Sequence, residues 1–358
     1  MRQPKSMGNN MKTGVLLMNT GTPDAPTVDA IRPYLTEFLM DPAIIDAPYF
    51  VRKPLVGHIV SKRPERTVAH YQSFWTDEGS PFLLTSLEQR RLLEESLNAQ
   101  AQGDFQVALG MRYGNPGIQA GLTELADGGC QRVVLVPFYP QNVNVCAGTC
   151  LKEANRILAR MARKGWKPQV ASVKSFHDQP AYRKALSKSV AAAWEYTPGA
   201  KLVVSFHSTM MKDIQQDDTY LVQDTQTMRW LAEDLGIAQE DAILGFQSRF
   251  DTRKWLQPFT EQILRDLLKQ GVEDVCVVCP GFVADNIETM VEVNRDLRNA
   301  FEGKPAAASA KAAPGHVAQD RVEVLKEVAR KTRFTYVPAL GTDPGLIQAV
   351  ACAVLEQL

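Results

Sequence analysis

The stretch V-C-V-V-C-P-G-F-V-A-D-N-I-E-T-M-V-E-V, residues 275 to 293, decides how the chain is read. Its first five residues form an apolar, mostly β-branched run that is short for a buried helix and fits a parallel strand covered on both faces. Pro280-Gly281 breaks the run and a helical pattern follows. Asp285, Glu288 and Glu292 recur at steps of three and four, which predicts that their carboxylates share one helix face. Acids so placed stand just beyond the carboxyl end of a strand, where open parallel sheets bind ligands. Asp285-x-x-Glu288 also has the spacing of a capping box, with Asp285 accepting from the early helix N–H groups, and on the sequence both readings stand.

Working outward, similar apolar runs alternate with helical patterns along the whole chain, the signature of a doubly wound α/β sheet. The runs predict strands over 14–19, 106–111, 132–138, 169–174, 201–206, 242–246, 274–279 and 334–337. They fall into two sets of four on either side of W-E-Y-T-P-G at 194–199. The second run of each set carries an internal echo, A-L-G-M-R at 108–112 and I-L-G-F-Q-S-R at 243–249. We therefore expect two similar lobes, each a four-stranded parallel sheet flanked by helices, facing a cleft. The first spans 12–185 with an excursion over 34–81, and the second spans 186–358, carries His207 and Glu288, and contains a flexible insertion over 303–319.

Composition narrows the function classes. The 358 residues suffice for two such lobes, and 45% hydrophobic with 22% charged residues is ordinary for a globular protein. Lys plus Arg and Asp plus Glu both number 40, so no basic field points to nucleic acid. No apolar run approaches the roughly 20 residues that span a bilayer, and the opening residues lack a signal peptide's apolar segment, which predicts a cytoplasmic protein. Six cysteines, mostly in or beside apolar runs, read as buried thiols of a reducing compartment, and Cys276-x-x-Cys279 on a strand directs its two side chains to opposite faces. The first strand leads into N-T-G-T-P-D-A-P with neither G-x-G-x-x-G nor a Walker lysine, so a nucleotide cofactor is not indicated. The excursion, rich in apolar residues from Phe38 to Val60, is too interrupted by prolines for a regular amphipathic helix and reads as core, a mobile lip or a membrane-facing edge. The 303–319 segment is low in complexity, and His316 within it reads as solvated.

Other strand ends carry polar groups that can meet Glu288 in one cleft. His207 follows K-L-V-V-S-F, Arg112-Tyr113-Gly114-Asn115-Pro116 follows the second strand and Tyr139-Pro140-Gln141 the third. A histidine after a buried strand is also a common structural hydrogen-bonding residue. Taken together, an imidazole, carboxylates, arginines and aromatics at the carboxyl ends of both sheets suit a flat anionic ligand.

At these residues the chain resembles the ferrochelatases of haem biosynthesis. The matching stretches are G-V-L-L-M-N-T-G-T-P at 14–23, Y-Q-S-F-W-T-D-E-G-S-P at 71–81, G-M-R-Y-G-N-P at 110–116 and V-P-F-Y-P-Q at 136–141. They continue with S-F-H at 205–207, F-Q-S-R-F at 246–250, W-L-Q-P at 255–258 and C-P-G-F-V-A-D-N-I-E-T at 279–289. The resemblance implies two Rossmann-like lobes around a porphyrin cleft and insertion of Fe²⁺ into a porphyrin, protoporphyrin IX or coproporphyrin III, with loss of the pyrrole protons. It implies His207 and Glu288 as catalytic and metal-contacting residues with Asp285 in support, Phe282 and Trp255 as aromatics lining the pocket, and Arg63, Tyr71 and Ser80 as holders of the propionates. Arg112 and Tyr139 match further pocket positions, and Thr20 stands where the family often has a larger side chain over the macrocycle. The chain departs from the family's usual text at N-V-N-V-C-A-G-T-C (142–150), S-F-H-S-T-M-M (205–211) and D-D-T-Y (217–220).

Two other functions fit the same features: a related chelatase for another metal or tetrapyrrole, and a non-catalytic tetrapyrrole or haem carrier on this scaffold. The expected partners are porphyrin and ferrous iron as substrates, with peripheral membrane contact through the 38–60 lip and a monomer or weak dimer. No permanent cofactor is expected. An iron–sulfur cluster needs converging thiolates, and Cys146 and Cys150 form the one pair near the pocket.

Overall fold

The computed structural model describes residues 11–62, 64–101, 103–249, 253–304 and 332–358. Arg63, and within the 303–319 segment residues 305–319 including His316, lie outside the described residues. Two four-stranded parallel sheets form the frame. The first contains β1 (Thr13–Asn19), β2 (Phe105–Met111), β3 (Arg132–Pro137) and β4 (Gln169–Ser172) in the order β2-β1-β3-β4. The second repeats that order as β6-β5-β7-β8, with β5 (Lys201–His207), β6 (Ala242–Gln247), β7 (Asp274–Val278) and β8 (Arg333–Val337). All eight runs read from the sequence are strands, each within two residues of its expected ends.

Fully buried Val15, Leu16, Leu17 and Met18 on β1, and Leu202, Val203, Val204 and Phe206 on β5, show why: both central strands are covered on both faces. The echo between the second strands has a packing cause. A Cβ on Gly110 would come within 2.9 Å of the Ile118 Cα, and one on Gly245 within 2.8 Å of the Ile263 side chain, so each edge strand has a glycine where the following helix presses on it. Cys276 and Cys279 lie in different core clusters, as the period of a strand requires.

The lobes share a core. Helix Pro344–Leu355 buries Leu346, Ile347, Val350 and Val354 and packs on helices Pro81–Gln100 and Pro180–Ala193, the latter running unbroken through positions 185 and 186. Gln89 of the first lobe's helix donates to the carbonyls of Val283 at 2.9 Å and Gly341 at 2.8 Å, tying that helix to two loops of the second lobe.

The excursion differs from expectation. It is helical over Val28–Leu39, Tyr49–Lys62 and Pro64–Gln72, with Pro33 and Pro54 inside the first two. An interior proline costs a helix about 3 kcal/mol, and here packing outweighs it: Ile31 in the first helix and Val56 and Val60 in the second are buried. Arg52 adds hydrogen bonds to the carbonyls of Ile45 (3.1 Å) and Ala47 (2.9 Å), pinning the preceding loop. The outward face is not core, since Phe50 is 77% and Tyr49 59% exposed.

Candidate active site

The crossover geometry places the site. In each sheet the chain reverses direction at the central strand, so a crevice opens between the carboxyl ends of β1 and β3 and between those of β5 and β7. Thr20 follows β1 and Tyr139 follows β3, and their hydroxyls meet at 2.6 Å across the first crevice. His207 ends β5, and Gly281 and Phe282 follow β7 at the second. Between the lobes lies an open cleft. It is lined by aromatics from both lobes, Tyr34, Phe38, Tyr71, Phe74, Phe82, Tyr113, Tyr139, Tyr220, Trp255 and Phe282, among which Asn19, Thr20, Arg112, Gln141, His207, Asn286 and Glu288 supply polar groups.

His207 Nδ1 lies 2.7 Å from the Ser208 carbonyl oxygen. A carbonyl only accepts, so Nδ1 carries the proton and Nε2 the lone pair when the ring is neutral. Burial pushes the imidazole pKa down, with the Ser208 hydrogen bond opposing it, so the neutral ring is the form at pH 7. The Tyr220 hydroxyl donates to the His207 carbonyl at 3.0 Å and fixes the strand end.

Glu288 opens a π-helical segment, Glu288–Leu297, a rare winding that frequently occurs at functional sites. Burial raises its carboxyl to about 7, with the Glu292 charge adding to the rise and its own backbone N–H opposing. Glu292, one turn further, is pushed up in the same direction by burial and accepts from the Ser248 N–H (2.9 Å) and hydroxyl (2.5 Å). Ser248 sits at φ 65°, a left-handed conformation that serine rarely adopts, and those two bonds hold it there.

Asp285 does not share the helix face with Glu288, nor does it cap the helix. Its Oδ1 accepts from the Tyr336 hydroxyl at 2.5 Å and the Thr289 hydroxyl at 2.9 Å, which anchors it to β8 behind the cleft wall. Asn286 caps instead, accepting from the N–H groups of Glu288 (3.0 Å) and Thr289 (3.1 Å). The helix begins later than the i, i+3, i+7 pattern assumed, and this separates the two acids. Ser80 is likewise not at the lining: it is buried and donates to the Thr22 hydroxyl at 3.1 Å. The structure brings Thr20, Tyr71, Arg112, Tyr139, Trp255 and Phe282 to the cleft together with His207 and Glu288.

Several lining residues were not foreseen. Tyr34 comes from a helix whose cleft-facing side no motif marks, while Phe38 begins the lip and Tyr220 closes the D-D-T-Y stretch, and neither had been given a place at the site. Arg112 is ion-paired to Asp41, a partner 71 positions away in sequence that also accepts from the Tyr113 hydroxyl at 3.0 Å. Cys146 and Cys150, expected near the pocket, do line the cleft. Asp224, one turn beyond Tyr220, is fully buried with neither carboxyl oxygen hydrogen-bonded, and burial raises its pKa far above the usual range. Among the described residues no group of three or more His, Cys, Asp and Glu is placed to hold a metal ion.

Two α/β lobes of the same strand order enclosing such a cleft have the architecture of the chelatase fold. The chain matches a SirB from Bacillus subtilis solved with Fe³⁺ at a TM-score of 0.53 and 10% identity, over 97% of this chain and 96% of that one. A sirohydrochlorin chelatase SirB from Bacillus subtilis subspecies spizizenii, solved with cobalt, matches at 0.51 and 12% identity, over 97% and 95%. The family is narrower than the fold: the model of the ferrochelatase family matches residues 12–358, and the chain belongs to that family. It is 40% identical to the ferrochelatase of Azoarcus sp. over 351 residues and 38% identical to that of Chromobacterium violaceum over 352, each alignment covering 97% of this chain and 88% of the relative.

Proposed function

We propose that the chain is a ferrochelatase in which His207 and Glu288 carry insertion of Fe²⁺ into a porphyrin bound flat in the aromatic cleft. The observation that carries this reading is the pair itself: a neutral imidazole and a carboxyl with a pKa of about 7 line one cleft. Metal insertion releases the pyrrole protons as the ring nitrogens take the ion. His207 accepts one on Nε2 or presents the ion, and Glu288, half ionised near neutrality, accepts the other. Glu292 takes over charge from Glu288 one turn further along the π-helical segment. Two such donors leave the ferrous ion most of its water until the ring nitrogens replace it, in keeping with a substrate that must leave with the product. Phe282, Trp255, Tyr71 and Tyr139 hold the ring, and Thr20 contacts one of its faces. Asp285 acts as a positioning residue, fixing the start of the segment that bears Glu288.

The apolar lining supports protoporphyrin IX over coproporphyrin III. Arg112 is the one cationic side chain among the described lining residues and it is already paired, so the porphyrin with fewer carboxylates desolvates at lower cost. Tyr49, Phe50, Val51 and Leu55 form an exposed apolar group on the lip and support peripheral membrane contact at the cleft entrance. No helix among the described residues is long and apolar enough to cross a membrane. We place the protein in the cytoplasm as a monomer or weak dimer without a resident cofactor or iron–sulfur cluster. Anaerobic mixing with Fe²⁺ and either porphyrin, followed at the Soret band, tests the whole reading. Insertion into protoporphyrin at the higher kcat/KM is expected; tight porphyrin binding without metallation marks a carrier instead, and insertion of Co²⁺ but not Fe²⁺ marks a different chelatase.

A further inference from the structure

The cleft wall of the first lobe holds a pair of thiols that the insertion chemistry does not use. Cys146 lies in the π-helical turn Asn144–Gly148 and Cys150 in the first turn of helix Thr149–Ala162. Gly148 and Thr149 both have right-handed helical angles, so the winding runs on without a break from one cysteine to the other. Side chains four apart on such a winding stand on one face, roughly 5–6 Å apart at Cβ. Both line the cleft.

We propose that Cys146 and Cys150 form a two-thiolate site for a soft, linearly coordinating d¹⁰ metal ion, with Cu⁺ as the representative of that class. Two sulfurs on one ion stand apart by about twice a metal–sulfur bond of roughly 2.3 Å, within reach of this pair. Soft thiolates select such ions over ferrous iron, and an ion that is satisfied by two ligands needs no third protein donor. The Thr20 and Tyr139 hydroxyls, linked to each other at 2.6 Å, line the same cleft as the two thiols. Hydroxyls beside a metal-bound thiolate can donate to it and stabilise its charge. Arg112 acts on Cys150 to favour its thiolate, and Asp41, the ion-pair partner of Arg112, opposes it.

The balance is two thiols plus Cu⁺ giving one S–Cu–S anion and two protons, with no change of oxidation state. Burial, with the Glu288 charge adding to it, holds the Cys146 thiol protonated up to about 12, and burial beside Cys146 holds Cys150 protonated, so binding draws on the ion's own power to displace thiol protons. The other buried cysteines offer no such pair, since Cys276 and Cys279 lie on opposite faces of their sheet. An ion held by this pair occupies the cleft wall and excludes a flat ligand. That consequence rests on the porphyrin reading; the metal site does not.

The test is anaerobic competition for Cu⁺ between the reduced, metal-free protein and a chromophoric Cu⁺ chelator. The wild type is expected to retain Cu⁺ that Cys146→Ser and Cys150→Ser each release, with affinity down about tenfold or more, while Cys279→Ser behaves as wild type. X-ray absorption of the loaded wild type should show two sulfur neighbours and no nitrogen, a readout that survives if a serine variant folds poorly. Equal retention by wild type and both variants, or a first shell of nitrogen and oxygen, overturns the site. Porphyrin fluorescence then addresses the consequence: bound Cu⁺ should weaken porphyrin binding, and unchanged binding with Cu⁺ in place defeats the blockade while the site stands.

Discussion

Replacing Glu288 by Gln removes a titration that burial has displaced. The carboxyl titrates at about 7 in the folded chain against an ordinary value of 4.5, so between those values the folded protein holds a proton that the unfolded chain has lost. A group that binds its proton more tightly when folded makes stability fall as pH rises through that window and level off above it. At about 1.4 kcal/mol per pH unit, the window from 4.5 to about 7 corresponds to roughly 3 kcal/mol withheld from the folded state once Glu288 is ionised. Because the residue faces an open cleft, this figure is a ceiling. Gln keeps the shape and the acceptor oxygen and loses the charge. Glu288→Gln should therefore match the wild type at pH 4.5 and exceed it by up to about 3 kcal/mol at pH 8, while iron insertion falls about a hundredfold, the scale of a lost acid-base group. Urea unfolding of both proteins at the two pH values measures this directly. His207, displaced downward, is present in both proteins and largely cancels from the difference, whereas Glu292, whose charge repels that of Glu288, is relieved in the variant and adds to the gain at high pH. A stability difference that does not change between pH 4.5 and pH 8, or a variant weaker than wild type at pH 8, refutes the argument.

His207→Ala should abolish insertion at saturating iron and leave porphyrin affinity within a few-fold, read as a loss in kcat with Kd nearly kept; near-wild-type turnover would make this histidine structural. Phe50→Asp on the exposed lip should weaken vesicle and porphyrin binding with little change in Tm, whereas a large drop in Tm with unchanged binding would contradict its surface role. Asp285→Asn weakens the acceptor of Tyr336 and Thr289 and should cost about 1–2 kcal/mol of stability with a smaller loss of rate than Glu288→Gln. Asp224→Asn removes an unpaired buried carboxyl whose pKa is raised. It should stabilise the protein, and more at pH 8 than at pH 4, because a raised carboxyl weakens the fold as pH rises; calorimetry showing a loss at pH 8 would mean that Asp224 has a partner.

The strands were legible because a parallel sheet covered on both faces demands runs such as V-L-L-M at 15–18 and V-V-L-V at 133–136, which little else in a soluble chain produces. The places of His207 and Glu288 beyond strand ends were legible for the same reason, since each follows such a run, while their roles came from the family resemblance. What failed depended on contacts between distant parts of the chain. The spacing of Asp285 and Glu288 suits one helix face, but Tyr336, 51 positions on, draws Asp285 away and leaves Asn286 to cap. Pro54, within the excursion, argued against a helix that buried packing sustains. Asp41 carries no motif, and only the folded chain shows that it neutralises Arg112 inside the cleft. The π-helical winding after Glu288 has no mark in the local sequence either, since its residues would suit an ordinary helix.

The helix Pro344–Leu355 has a consequence for biosynthesis. It covers helix Pro81–Gln100 of the first lobe and is linked to it by paired amide hydrogen bonds between Gln100 and Gln348 at 3.0 and 2.9 Å. A ribosome adding about 5–20 residues per second produces the first lobe many seconds before this cover. Through that interval the apolar face of helix Pro81–Gln100 that this helix buries is uncovered, and the first lobe can reach its final packing only after residues 344–355 have cleared the exit tunnel. Nascent chains stalled before residue 344 should accordingly engage apolar-binding chaperones and be cut readily by protease within residues 81–100, and emergence of residues 344–355 should end both at once.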